Sequence, residues 1–205
     1  SSTSSSNTAI GRNALQANST GDFNTGIGRD SMFTNNTGVQ NAAVGVNSLY
    51  LNSSGGYNAA MGVQALRSNS TGSNNAGLGY QAGYSSSGNN NVFLGNQAGY
   101  SSTGNGNVFI GSQAGYNETL NNNKLYIENS NANADNALIY GEFDNNIVRV
   151  NGTLQISNPA SAPGYSLPIV RGTAGQVLQT DGAGTTSWAN SLNSFIMLIT
   201  RFYLS

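Results

Sequence analysis

The chain has 205 residues, with 7 Lys and Arg against 8 Asp and Glu, and neither Cys nor His. Charged residues are 7% of it, against about 25% in an ordinary soluble domain. Seven scattered cations cannot form the basic stripe that phosphate recognition needs, which excludes a nucleic-acid partner, and nothing clusters them for an anionic membrane surface. Zero Cys removes thiol catalysis and thiolate metal sites, and zero His removes the commonest general base and metal ligand. The chain is therefore read as no enzyme, with no cofactor and no metal. Its net charge of −1 also argues against the highly charged composition of disordered segments.

Ser1 to Ser6 is a polar run without the apolar stretch of a signal peptide. From Asn7 the chain repeats. A motif Asn-x-small/aromatic-aliphatic-Gly starts at Asn7, Asn24, Asn41, Asn58, Asn75, Asn91 and Asn107, spaced 17 residues four times and then 16 twice. Its aliphatic column is Ile10, Ile27, Val44, Met61, Leu78, Leu94 and Ile110. Four residues later stands a small column: Ala14, Ser31, Ser48, Ala65, Ala82, Ala98 and Ala114. Next come Leu15, Met32, Leu49 and Leu66, which give way to Gly83, Gly99 and Gly115, each followed by Tyr84, Tyr100 or Tyr116. Six of the repeats close on Ser/Thr-Gly, from Thr20-Gly21 to Thr103-Gly104.

Each repeat reads as two short strands and two turns. The first strand is centred on the aliphatic residue, and the Gly after it permits a bend or a close backbone approach. The second carries the small-then-Leu or Gln-Ala-Gly-Tyr segment. The Ser/Thr-Gly cluster is the outer turn, where Gly and Asn tolerate φ > 0. Apolar runs are too short for a helix. Stacked at ~4.8 Å, the coils would align Asn over Asn as a ladder and the aliphatic residues as an apolar spine. The fold class expected is all-β: stacked 16–17-residue repeats forming a β-solenoid or β-roll, trimeric and fibrous. Trimeric, because one coil buries only a few apolar side chains against an ordering cost of ~1–2 kcal/mol per residue. Chains meeting side by side on their aliphatic and small columns would supply the missing core.

The domains expected are the seven-repeat roll at 1–120, a small β module at 121–157, a Pro/Gly linker with a β-hairpin at 158–190, and an apolar tail at 191–205. In the module, Lys124–Ile127, Ala137–Tyr140, Ile147–Val150 and Thr153–Ile156 are strand-like, with Asn151-Gly152 as the turn of a hairpin. Pro159, Pro163 and Pro168 punctuate the linker. Gln176–Thr180 and Thr185–Trp188 form the later hairpin around Asp181-Gly-Ala-Gly184. The tail, Ser191 to Ser205, matches no earlier segment, and its apolar run is about half the ~20 residues of a membrane helix, so no membrane insertion is expected.

The Asn-x-Ala-Ile-Gly unit resembles the head repeats of trimeric autotransporter adhesins, a left-handed parallel β-roll of three chains, although the repeat there is shorter. The chain is more similar to tail-fibre-like proteins of phages and to related bacterial surface proteins. Those carry Asn-Thr-Ala-Ile-Gly-x-x-Ala-Leu and Gly-x-Gln-Ala-Gly-Tyr repeats, then Asn-Lys-Leu-Tyr-Ile and Leu-Ile-Tyr-Gly-x-Phe, as at 123–127 and 138–143, and a Gly-Thr-Ala-Gly-Gln-Val-Leu-Gln-Thr-Asp-Gly segment, as in 167–188. The resemblance covers about residues 7–188. It implies a homotrimeric or otherwise homo-oligomeric shaft or head, extracellular on a virion or a cell surface, contacting a receptor or surface glycan. A cellular adhesin or filament subunit, and a fragment of a sugar-cleaving tailspike, are the competing readings.

Candidate binding residues are Tyr84, Tyr100 and Tyr116, a stacked column that would meet sugar rings if exposed and would be cross-coil packing if buried. The tailspike reading needs paired carboxylates, for which Glu142 and Asp144 on one strand face are the candidates, against plain surface charge. The glycines recur with the repeat and serve turns, not phosphate binding. Asp22 and Asp30 have no counterparts in later repeats, which argues against repeated calcium sites. The Ser/Thr column at the turn is a weak ice-binding pattern. Asn18, Asn35, Asn52, Asn69, Asn117 and Asn151 each open an Asn-x-Ser/Thr triplet.

Overall fold

The structure is a computed structural model that describes residues 6–152, 155–156, 165–166, 173, 176–180 and 186–190. It comprises two units, divided between Asn151 and Gly152.

In the first unit each repeat supplies one three-residue strand: β1 (Thr8–Ile10), β2 (Thr25–Ile27), β3 (Ala42–Val44), β4 (Ala59–Met61), β5 (Ala76–Leu78), β6 (Val92–Leu94) and β7 (Val108–Ile110). They pair in parallel and in sequence order, with Ile10 on Ile27, Ile27 on Val44, and so on to Leu94 on Ile110. β8 (Lys124–Ile127) adds an eighth parallel strand, and β9 (Ile139–Glu142) and β10 (Ile147–Val150) fold back antiparallel. The described residues are all-β, a solenoid of about seven coils, as the repeat predicts.

The expected second strand per repeat is absent. The residues after the motif glycine form a turn in which two left-handed positions alternate with right-handed ones: Asn13 and Leu15, Asp30 and Met32, Asn47 and Leu49, Gln64 and Leu66, then Gln81 with Gly83, Gln97 with Gly99 and Gln113 with Gly115. Left-handed backbone cannot be extended strand. The coil-to-coil hydrogen bonds survive all the same: Leu15 N–H donates to Ser31 O at 3.0 Å and Ala17 N–H to Phe33 O at 3.1 Å. A left-handed Leu costs roughly 1–2 kcal/mol. Here Met32, Leu49 and Leu66 are fully buried, which contributes about 1.5–3 kcal/mol each and offsets it.

The glycine after the aliphatic residue has the expected role of close backbone approach, since a Cβ on Gly28 would lie 2.5 Å from Gly45 O, whereas the Ser/Thr-Gly glycines differ from expectation. Gly11, Gly28, Gly45 and their equivalents, after the aliphatic residue, have φ between 118° and 139°. The Ser/Thr-Gly glycines are not left-handed. They are needed for close approach: a Cβ on Gly38 would lie 2.5 Å from Gly55 O and 2.4 Å from Asn35 Oδ1.

In β2 to β7 the middle residue turns inward, so Gly26, Ala43, Ala60, Gly77, Phe93 and Phe109 are buried and the residues on either side face outward. The interior is a column of Leu15, Met32, Leu49 and Leu66 that passes into Phe93, Phe109, Tyr126 and Tyr140. Phe109, Tyr126 and Tyr140 meet edge to face, at 5.2 Å for each pair, a geometry that ring quadrupoles favour.

In the stretch after the coils, Lys124–Ile127 and Ile147–Val150 are strands as expected, and the strand expected at 137–140 lies at Ile139–Glu142. Asn151-Gly152 does not adopt the backbone of a type I′ hairpin turn, and Thr153 and Leu154, the start of the expected second strand, lie outside the described residues. A two-residue type I′ turn requires both central residues left-handed, and Asn151 is not. Asn151 instead donates from N–H to Leu138 O and from Nδ2 to Ala137 O, at 2.9 and 2.7 Å, and β10 pairs with β9. In the second unit β11 (Gln155–Ile156) pairs antiparallel with β12 (Tyr165–Ser166). The expected later hairpin is present as β13 (Gln176–Thr180) against β14 (Thr186–Asn190), Leu178 facing Trp188. Its turn at 181–184, the three prolines and the tail at 191–205 lie outside the described residues. No helix among the described residues is long and apolar enough to cross a membrane.

Candidate functional site

From coil 2 onward, the residue after each inner Met, Leu or Gly leaves the turn partly exposed and stacks on its equivalents one coil away. Tyr84 and Tyr100 lie 4.9 Å apart with rings tilted by 9°, and Tyr100 and Tyr116 4.9 Å apart with rings tilted by 8°. The column extends past the three tyrosines that sequence reasoning singled out. Phe33 stacks on Tyr50 at 5.2 Å. Arg67 lies between Tyr50 and Tyr84, its guanidinium carbon 5.1 Å from one ring centroid and 5.5 Å from the other. Six coils thus contribute one continuous stack: Phe33, Tyr50, Arg67, Tyr84, Tyr100 and Tyr116. Phe33, Tyr50 and Arg67 were legible as the same repeat position. Their differing residue types hid that a planar guanidinium can substitute for a ring.

All six members are half-buried. Within the stack each ring face is covered by its neighbour, so edges and hydroxyls, not faces, are offered to a ligand. Burial, followed by the neighbouring Tyr84 and Tyr116, pushes the Tyr100 hydroxyl above the ordinary tyrosine range. A glutamine ladder runs alongside, with Gln81 Nε2 donating to Gln64 Oε1 at 2.8 Å, Gln97 to Gln81 at 2.9 Å and Gln113 to Gln97 at 3.1 Å.

The Asn-x-Ser/Thr triplets are largely a structural device. Asn35, Asn52 and Asn69 are fully buried and closed to modification in the folded chain. Asn18, Asn35 and Asn52 form a second asparagine ladder, in which Asn35 Nδ2 donates to Asn18 Oδ1 at 2.8 Å and Asn52 Nδ2 to Asn35 Oδ1 at 2.6 Å, while Asn69 Nδ2 donates to Gly72 O at 2.9 Å. The first ladder is the motif asparagine itself. Asn58 Oδ1 accepts the Asn75 N–H at 3.0 Å while Asn58 Nδ2 donates to Gly72 O at 2.8 Å, and the pattern continues to the Lys124 N–H on Asn107.

The acidic residues are spread over separate hydrogen-bond sets. Glu118 accepts the Tyr126 hydroxyl at 2.5 Å; burial, followed by that hydrogen bond, raises the Tyr126 hydroxyl well above its usual range. Asp135 pairs with Arg149 at 3.0 Å. Glu142 accepts from Asn145, from the Tyr140 hydroxyl at 2.7 Å and pairs with Lys124 at 3.6 Å. Asn145 and then Tyr140 hold its carboxyl below the ordinary range, the opposite of what a general acid needs. Asp30 pairs with Arg29 and Arg12 at 3.3 and 3.8 Å. The described residues hold no cluster of three or more metal-binding side chains.

One further surface stands out. The outward strand residues leave an apolar face along the sheet, with a shallow groove floored by Ala59, Ala60, Met61, Ala76 and Leu78. Ile10 is 58%, Met61 55% and Leu78 46% exposed. Comparison with protein-family models, with curated proteins and with solved structures returns no match.

Proposed function

We propose that the chain is a segment of a homotrimeric fibre or adhesin, exposed outside the cell on a virion or a cell surface, where it spaces and presents an attachment surface. The observation that carries this reading is the apolar sheet face. Seven stacked strands put the aliphatic column on the outside of the coil, beside the small residues Ala42, Ala59 and Ala76. A continuous apolar strip is rarely left open on a monomer. Identical copies suit it best: they share its coil spacing, so that strand residues of one chain meet those of another layer by layer, and the small residues let backbones approach.

Light scattering tests this directly. A mass of three chains is expected, and a monomer at micromolar concentration overturns the reading. Met61→Glu with Leu78→Glu places charges on the face without touching the interior. This variant is expected to be monomeric with its β-sheet circular dichroism retained. If it stays trimeric, the face is not the contact.

A further inference from the structure

Arg67 is the only charged residue between Asp30 and Glu118, and it makes no ion pair among the described residues. Its hydrogen bond is from Nη1 to the Tyr84 hydroxyl at 3.3 Å, while its Nε is buried without a partner. A half-buried, unpaired cation is unfavourable, and the stack does not need one: the same position holds an aromatic ring in the coils on either side. The flanking rings, 5.1 and 5.5 Å from the guanidinium carbon, and the Nη1 bond to the Tyr84 hydroxyl confine the group between two coils. A guanidinium so confined can offer its planar fork to the two oxygens of a carboxylate, and its weak hydration makes pairing favourable. The Tyr84 hydroxyl, accepting from Nη1, keeps its own proton to donate. The tyrosine edges then continue coil by coil at the 4.9 Å ring spacing, which suits a polyhydroxyl chain more than a small free acid.

We infer that Arg67, clamped between Tyr50 and Tyr84, is the carboxylate-reading residue of a binding strip for acidic polysaccharide, with Tyr84, Tyr100 and Tyr116 meeting the adjoining sugars through their edges and hydroxyls. This deepens the attachment role proposed above by naming its ligand class, and it rests on that reading only for its biological setting.

The test is titration calorimetry of the whole chain with oligogalacturonate and with the same oligomer fully methyl-esterified. The wild type is expected to bind the acid at least tenfold more tightly than the ester. Arg67→Tyr removes the charge and restores an unbroken aromatic stack, so it is expected to keep its thermal midpoint and lose that preference. Arg67→Lys keeps the charge but not the planar fork, and is expected to retain only part of it. Equal affinity for acid and ester, no binding of either, or a preference that persists in Arg67→Tyr overturns the inference. Mass is read separately. A trimer that ignores the acid removes this site and leaves the fibre reading standing, and a monomer that binds it does the reverse.

Discussion

In coils 1 to 4 the interior is filled from the turn. Leu15, Met32, Leu49 and Leu66 project inward, and the strand centres of these coils are small, Ala9, Gly26, Ala43 and Ala60. In coils 6 and 7 it is filled from the strand: Phe93 and Phe109 project inward, and the turn carries Gly99 and Gly115. Coil 5 is the junction, with Gly at both positions. A Cβ on Gly77 would lie 2.9 Å from Leu66, and one on Gly83 2.4 Å from Phe93. Core volume is conserved while its source moves from one side of the coil to the other, the kind of exchange that packed interiors tolerate. The shortening from 17 to 16 residues occurs at the same junction. Asn69-Ser-Thr-Gly72 becomes Ser86-Ser-Gly88; the second asparagine ladder has ended one coil earlier at Asn52, and Asn52 Oδ1, Asn69 Oδ1 and Ser86 Oγ are buried without partners.

The largest effect should come from moving this junction. Phe93→Ala alone is expected to cost about 3–5 kcal/mol, and Gly83→Leu alone to destabilise by overpacking against Phe93. Combined, they extend the Leu-type interior by one coil, and coupling of up to about 3 kcal/mol should return in a double-mutant cycle read by urea unfolding. Additive losses would mean that the two arrangements are not equivalent fillings of one space.

Next in size is the ladder common to both regions. Asn58→Ala leaves the buried Asn75 N–H without its acceptor and takes one of two amide donors from the Gly72 carbonyl, which keeps Asn69; it should cost roughly 1–3 kcal/mol, measured in the same way.

The smallest effect separates the coils from β8–β10. Glu128, held below the ordinary range by the backbone N–H groups of Leu138 and Asn129, and Glu142, held there by Asn145 and Tyr140, are easier to ionise folded than unfolded. Their contribution is present above the unfolded carboxylate value of about 4.3 and is lost as pH falls through the lower folded values. Hydrogen exchange should therefore show β8–β10 loosening on acidification while β3–β6, which carry no carboxylate, stay protected.

The solenoid was legible because each coil repeats the same constraints: an asparagine whose amide spans two coils, a glycine where backbones approach, and one aliphatic residue per layer. Period alone determined the parallel order and register. Composition determined that polarity would come from amide ladders instead of ion pairs. Local pattern could not say which way a three-residue strand faces: the aliphatic column stacks as the expected spine on the outer face of the coil, whereas the small column expected to meet other chains beside it (Ser31, Ser48, Ala65, Ala82, Ala98 and Ala114) is buried inside. Nor could it show that Leu15, Met32, Leu49 and Leu66 would be left-handed, because propensity opposes that conformation and only burial in the closed coil supports it. The same holds for the buried triplet asparagines and for Arg67, a surface residue by type that tertiary stacking sets between two rings. Repetition is a property of the sequence, whereas inside and outside are decided only when the coil closes and each side chain meets its neighbour from the next layer.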